Sequence, residues 1–135
     1  MKTITAILEK GKDGYGVWYN EVSNVFAFGE TIEDAKKDAY TALNFYIAHL
    51  KEEKKKIPNL LAGNWELKFQ FETMALLNYY QGVFTKAALS KITGINASQL
   101  SQYANGFKKP RKQQIQRIES GLHKLAGEMN SIQLV

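Results

Sequence analysis

The sequence predicts an α+β protein in two parts: an antiparallel βββαβ sheet with one long helix over residues 1 to 72, then an all-α region of about four to five helices over residues 73 to 135. Three observations predict it. Apolar and other residues alternate in the first and last of four short segments of the first part, the period of a strand, and turn residues bound the two between them. Between the third and fourth segments the apolar period lengthens to three and four residues over nineteen positions, Ile32 to Leu50, the period of a helix. The charge balance also changes sign along the chain: residues 1 to 72 hold ten lysines against eleven acids, a balance of −1, whereas residues 73 to 135 hold eight Lys and Arg against two acids, a balance of +6.

The first strand is expected over residues 3 to 10, where Ile4, Ala6 and Leu8 alternate with Thr3, Thr5 and Ile7. Gly11-Lys12-Asp13-Gly14 supplies turn chemistry before Tyr15-Gly16-Val17-Trp18-Tyr19, so the pair reads as a hairpin. Residues 20 to 24 form a second turn and Val25-Phe26-Ala27-Phe28 a third strand. Thr31 stands where a hydroxyl caps a helix start, and Glu33 and Asp34 follow against the positive end of the helix dipole. Ile32, Ala35, Ala39, Leu43, Tyr46, Ile47 and Leu50 then share one helix face, with the end expected near Lys54. After Pro58 and Gly63, Trp65, Leu67, Phe69 and Phe71 alternate with Glu66, Lys68, Gln70 and Glu72 as a fourth strand.

Composition bounds the chemistry. With 44% hydrophobic and 23% charged residues the chain is expected to be folded for most of its length. It has no cysteine, which excludes disulfides, thiolate zinc sites and a cysteine nucleophile. His49 and His123 stand alone in helical patterns, so no metal and no cofactor is expected. The first residues lack the apolar core of a signal peptide and no stretch approaches membrane-spanning length, which points to the cytoplasm and to no membrane partner.

The pattern Gly14-Tyr15-Gly16-Val17-Trp18, a short turn, residues 25 to 30, and Thr31-Ile32-Glu33-Asp34-Ala35 opening a long helix resembles the HicB antitoxin domain, a degraded ribonuclease-H-like module. The segment Asn20-Glu21-Val22-Ser23-Asn24 departs from it, since many relatives carry a proline- and glycine-containing turn there. The resemblance implies that residues 1 to 72 bind and mask a HicA-like RNA-cleaving toxin. An active nuclease would need several carboxylates converging on two metals, and Glu9, Asp13, Glu66 and Glu72 are scattered over turns and strand ends. No enzymatic activity is expected.

In the second part, Thr73 opens a first helix and Thr85 a second, Lys86 to Thr93 in sequence, closed by Gly94 where a left-handed residue is easiest. A further helix follows over residues 97 to 104, with Leu100 and Tyr103 as inward anchors. The spacing of Ser90, Gly94 and Leu100 suits two helices crossing at a steep angle: a small side chain at the contact, a glycine at the corner, an apolar knob beyond it. Residues 73 to 126 thus resemble the phage-repressor/Cro-like helix-turn-helix family, in which the second motif helix enters the major groove of DNA. Ser90 stands where alanine is more usual. Asn105-Gly106-Phe107-Lys108-Lys109-Pro110-Arg111 resembles the loop that follows the recognition helix in that family.

The outward positions of the recognition helix, Ala97, Ser98, Gln99, Ser101 and Gln102, are all small or polar and are the expected base-reading residues, with Gln102 best suited because its amide both accepts and donates at an adenine edge. Lys86, Asn105, Lys108, Lys109, Arg111 and Lys112 cluster at the ends of the motif and are the expected phosphate contacts. After Pro110, Ile115, Ile118, Leu122 and Leu125 mark a last amphipathic helix, which Gly121 and Gly127 weaken. One such motif covers one half-site, so a homodimer or higher homo-oligomer on double-stranded operator DNA is expected. Taken together the halves resemble a DNA-binding HicB-type antitoxin. The alternatives are a stand-alone regulator whose first half self-associates or senses a ligand, and an active nuclease.

Overall fold

In the computed structural model, which describes residues Met1–Val135, the chain is a mixed α+β protein with one four-stranded sheet and five α-helices. It divides into two compact units, Met1–Ala75 and Leu76–Val135.

The first unit is built on β1 (Lys2–Lys10), β2 (Tyr15–Tyr19), β3 (Ala27–Gly29) and β4 (Trp65–Phe71), in the order β3-β2-β1-β4. Gly11 donates its N–H to the Gly14 carbonyl at 2.8 Å, which closes the β1–β2 hairpin. Ile4, Ala6 and Leu8 are fully buried, while Ile7 lies on the opposite face across from Trp18. β3 starts two residues later than expected, because its pairing with β2 begins only at Ala27, opposite Val17, although Val25 is already buried in the core.

The sheet is not antiparallel throughout, as the sequence had suggested. β4 runs parallel to β1, with Ile4 opposite Leu67 and Ala6 opposite Phe69. The cause is α1 (Ile32–Glu52), whose 21 residues span about 30 Å at 1.5 Å each and return the chain to the end of the sheet where β3 began. β4 therefore starts in the direction of β3. Since β3 and β1 are both antiparallel to β2, that direction is also the direction of β1.

Thr31 caps α1, its hydroxyl oxygen accepting the Asp34 N–H at 3.1 Å. Ile32, Ala35, Ala39 and Leu43 face the sheet and join Ile4, Leu8 and Val17 in one core, each large side chain contributing about 1.5–3 kcal/mol by leaving water. Gly29 is where sheet and helix touch backbone to backbone: a Cβ there would stand 2.2 Å from the Ala35 nitrogen. Tyr19 is buried in this core with its hydroxyl donating to the Ala39 carbonyl at 2.8 Å. Burial, and then the nearby Asp38 carboxylate, push its phenol from 10.0 up to about 12. Asp38 also accepts the edge N–H of Phe28 at 2.9 Å, covering part of the open edge of β3.

α1 ends at Glu52, where Lys54 takes a left-handed φ of 55°. There Glu53 pairs with Lys55 at 2.8 Å and with His49 at 3.2 Å. The Lys55 hydrogen bond, with the His49 and Lys55 charges behind it, holds the Glu53 carboxyl below its ordinary value.

α2 (Thr73–Tyr79) spans the division between the units and is followed by α3 (Lys86–Thr93), α4 (Ala97–Asn105) and α5 (Lys112–Asn130). Leu77, Leu89, Ile95, Leu100, Tyr103 and Ile118 form the core of the second unit. The Asn78 amide ties α2 to the end of α4 by donating to the Ala104 carbonyl at 3.0 Å. Gly121, which the sequence presents as a weak point of α5, has a packing role. A Cβ on it would lie 2.6 Å from the Ile92 carbonyl oxygen, so only glycine lets α5 approach α3 this closely.

Candidate nucleic-acid interface

The interface is organised by the corner between α3 and α4. Thr85 opens α3 by accepting the Ala88 N–H at 3.0 Å on its hydroxyl oxygen. Gly94 closes it in the left-handed region, φ 76° and ψ 9°, and donates its N–H to the Ser90 carbonyl at 2.8 Å. The buried Thr93 hydroxyl donates to the Leu89 carbonyl at 2.7 Å and accepts the Ile95 N–H at 3.2 Å, locking the turn from inside. Ile95, only 2% exposed, plugs the corner into the core, and Asn96 caps α4 by accepting the Gln99 N–H at 2.8 Å. Local hydrogen bonds thus fix the direction in which α4 leaves.

α4 carries no charged residue. Leu100 and Tyr103 anchor it in the core, and at three- and four-residue steps Ser98, Ser101, Gln102 and Asn105 form the facing stripe. Ser98 and Asn105 are exposed, and Ala97, Gln99, Ser101 and Gln102 are half-buried. The Gln99 amide nitrogen donates to the Tyr103 hydroxyl at 2.8 Å, so that donor is engaged within the chain and Gln102 is left as the longer polar reach on the stripe.

In sequence the cations lie on both sides of the stripe. Lys108 donates its backbone N–H to the Gln102 carbonyl at 3.3 Å, which folds the loop after α4 back against that helix. Lys108, Lys109, Arg111 and Lys112 are exposed along this loop and the start of α5, while Lys86 is half-buried at the start of α3. Glu119 and Glu128 are the unit's only acids, and the salt bridges at Glu53 belong to the first unit. The basic side chains therefore have no ion-pair partner within their own unit.

Two residues were passed over in the sequence. Arg117 lies on α5, but its guanidinium comes within 3.6 Å of where a Cβ on Gly94 would be, beside the corner, and donates to the Gln114 side chain at 3.3 Å. Nothing in the spacing of α5 signals that approach. Phe107 is 81% exposed in the lysine loop. Its signal was available: an aromatic residue between glycine and lysine, outside any apolar period.

No family model, curated protein or solved structure matches this chain.

Elsewhere, no three His, Asp or Glu side chains converge where they could hold a metal ion, and no helix is long and apolar enough to cross a membrane. The first unit carries an open groove of about 430 Å³ between the segment preceding β3 and α1, with Phe26 and Phe45 on its walls, 73% and 75% exposed, and Asp38 and His49 among its polar groups.

Proposed function

We propose that the chain is an antitoxin and transcriptional repressor of the HicA/HicB kind, acting in the cytoplasm as a homodimer or higher homo-oligomer. In this reading the second unit is a helix-turn-helix that binds operator DNA, and the first neutralises a HicA-like, RNA-cleaving toxin protein. The observation that carries the DNA-binding part is the uncharged stripe of α4, held by a locked corner and framed by cations without partners in their unit. Phosphates neutralise such cations in a sequence-independent way, and a short polar stripe between them suits base edges. In this reading Ala97, Ser98, Gln99, Ser101 and Gln102 face the bases. Lys86, Asn105, Lys108, Lys109, Arg111 and Lys112 grip the backbone, Arg117 joins them, and the Phe107 ring lies against sugars.

Binding of a toxin by the first unit is supported by the sequence resemblance and by the exposed aromatic groove at Phe26 and Phe45. The same groove favours the second reading, a regulator whose first unit senses a small ligand. Co-purification with the product of the neighbouring gene separates the two: a stable complex supports the antitoxin, its absence the sensor.

The DNA-binding part is tested by two variants. Gln102→Ala is expected to weaken preferred-site binding by about 1–3 kcal/mol and to relax specificity. Lys109→Ala should weaken all duplexes and reduce the slope of log affinity against log salt by about 1. Unchanged affinity in both variants would overturn the assignment of α4 to the groove.

A further inference from the structure

One outward side chain of α4 is not free to choose how it meets a duplex. Gln99, the third residue of the helix, gives its backbone N–H to the Asn96 side-chain oxygen at 2.8 Å, and its side-chain amide nitrogen donates to the Tyr103 hydroxyl at 2.8 Å. The two side chains are four residues apart, so they stand one above the other on the helix. Tyr103 cannot follow a moving partner. Its side chain is 4% exposed in the core of the second unit, and its carbonyl accepts the Gly106 N–H at 3.3 Å. The hydroxyl is therefore a fixed post. The amide that leans on it has one orientation, with nitrogen toward the post and oxygen away from it. The Gln102 amide carries no such bond and stays free to turn.

We infer that Tyr103 is a positioning residue that makes Gln99 a reader of amino groups. In the major groove adenine N6 and cytosine N4 donate, whereas guanine O6 and thymine O4 accept. An outward amide oxygen accepts from the first two and repels the second two. Gln99 thus separates A·T and C·G from T·A and G·C at one base pair of each half-site, counted on the strand it touches. A free glutamine imposes no such rule, because it turns its amide over to suit either edge. The bond to Tyr103 removes that freedom before binding, which also lowers the entropy lost when the side chain is fixed at the interface. This inference rests on the entry of α4 into the major groove proposed above, where the first residues of a recognition helix meet base edges.

The test uses the full-length chain and the duplex it selects from a random pool, with each base pair replaced in turn by the other three. The wild type should show one position per half-site at which A and C bind about tenfold tighter than G and T. Tyr103→Phe keeps the ring in the core and removes only the hydroxyl. The preference at that position should then fall to about threefold or less, with the other positions retained. Adding Gln99→Glu to Tyr103→Phe should restore it, since a carboxylate offers an acceptor whichever way it turns and no donor. In a Gln99→Ala background, Tyr103→Phe should change nothing at that position. A purely structural tyrosine would lower binding to all duplexes alike, with no rescue by Gln99→Glu. If the Phe variant loses its helical spectrum, Gln99→Glu and Gln99→Ala with Tyr103 in place decide: the first must keep the preference and the second lose it. A keto preference in the wild type, or a Tyr103→Phe effect that survives in the Gln99→Ala background, would overturn this inference and leave α4 in the groove. A chain that selects no motif would overturn the groove reading and this inference together.

Discussion

The two units solve the same packing problem with opposite surfaces. In the first, a sheet and a 21-residue helix enclose a large core, and the charges nearly balance, with some acids engaged locally, among them Asp38 on the β3 edge and Glu53 with Lys55 and His49. In the second, a smaller core of six buried residues holds the helices together, and the surface carries eight cations with only Glu119 and Glu128 against them. A small helical unit gains little from unpaired cations and accumulates self-repulsion from them. The excess of cations over acids beside an uncharged helix face is what sets the second unit apart from the first, where lysines and acids are nearly equal in number.

The contrast is most sharply broken by deleting one core anchor from each unit. Leu43→Ala should destabilise the first unit by about 2–5 kcal/mol while leaving DNA affinity at low temperature unchanged, and Leu100→Ala should abolish DNA binding by releasing α4. Chemical denaturation followed by duplex binding checks both, and equal loss of DNA binding in the two variants would mean that the cores are not separate. A smaller effect is expected from Gly121→Ala. The added methyl meets the Ile92 carbonyl, so α3 and α5 must move apart at a cost of about 1–3 kcal/mol, read as a lower denaturation midpoint of the second unit.

The smallest effect at neutral pH is the one carried by Tyr19. Its phenol ionises near 10.0 when unfolded and about 12 when folded. A raised value contributes stability that is complete below pH 10 and is lost as pH rises toward 12, because the unfolded chain gives up a proton that the folded chain keeps. Tyr19→Phe should cost about 1 kcal/mol at pH 7 through the lost hydrogen bond to Ala39, and this difference from wild type should shrink above pH 10. A difference that is constant from pH 8 to about 11 would contradict the buried-phenol account.

Local chemistry was the part the sequence made readable. Thr31 and Thr85 cap helices as their residue types suggest, and Gly94 adopts the left-handed turn expected of it, whereas Thr73 is the first residue of α2 and the Asn96 cap of α4 was not foreseen. Alternation located β1 and β4 because each buries one face, and the turn residues 11 to 14 located β2. It could not state which strand β4 would lie beside or in which direction, since a period of two is the same in parallel and antiparallel pairs. The length of α1 held that information. Gly121 was misjudged for a similar reason: helix propensity is local, while the Ile92 carbonyl that requires glycine lies on another helix. At the interface the stripe of α4 was legible from its polarity, but the engagement of Gln99 by Tyr103 and the approach of Arg117 to the corner depend on packing that no spacing encodes.

The most direct test of the central claim is selection of bound duplexes from a random DNA pool by the full-length chain at near-physiological salt, followed by sequencing. The account predicts an enriched motif with two related half-sites, which changes at particular positions in Gln102→Ala and Ser98→Ala but keeps its sequence, at lower yield, in Lys109→Ala. Recovery of an unenriched pool, or of a motif indifferent to the α4 substitutions, would contradict the claim that α4 reads DNA.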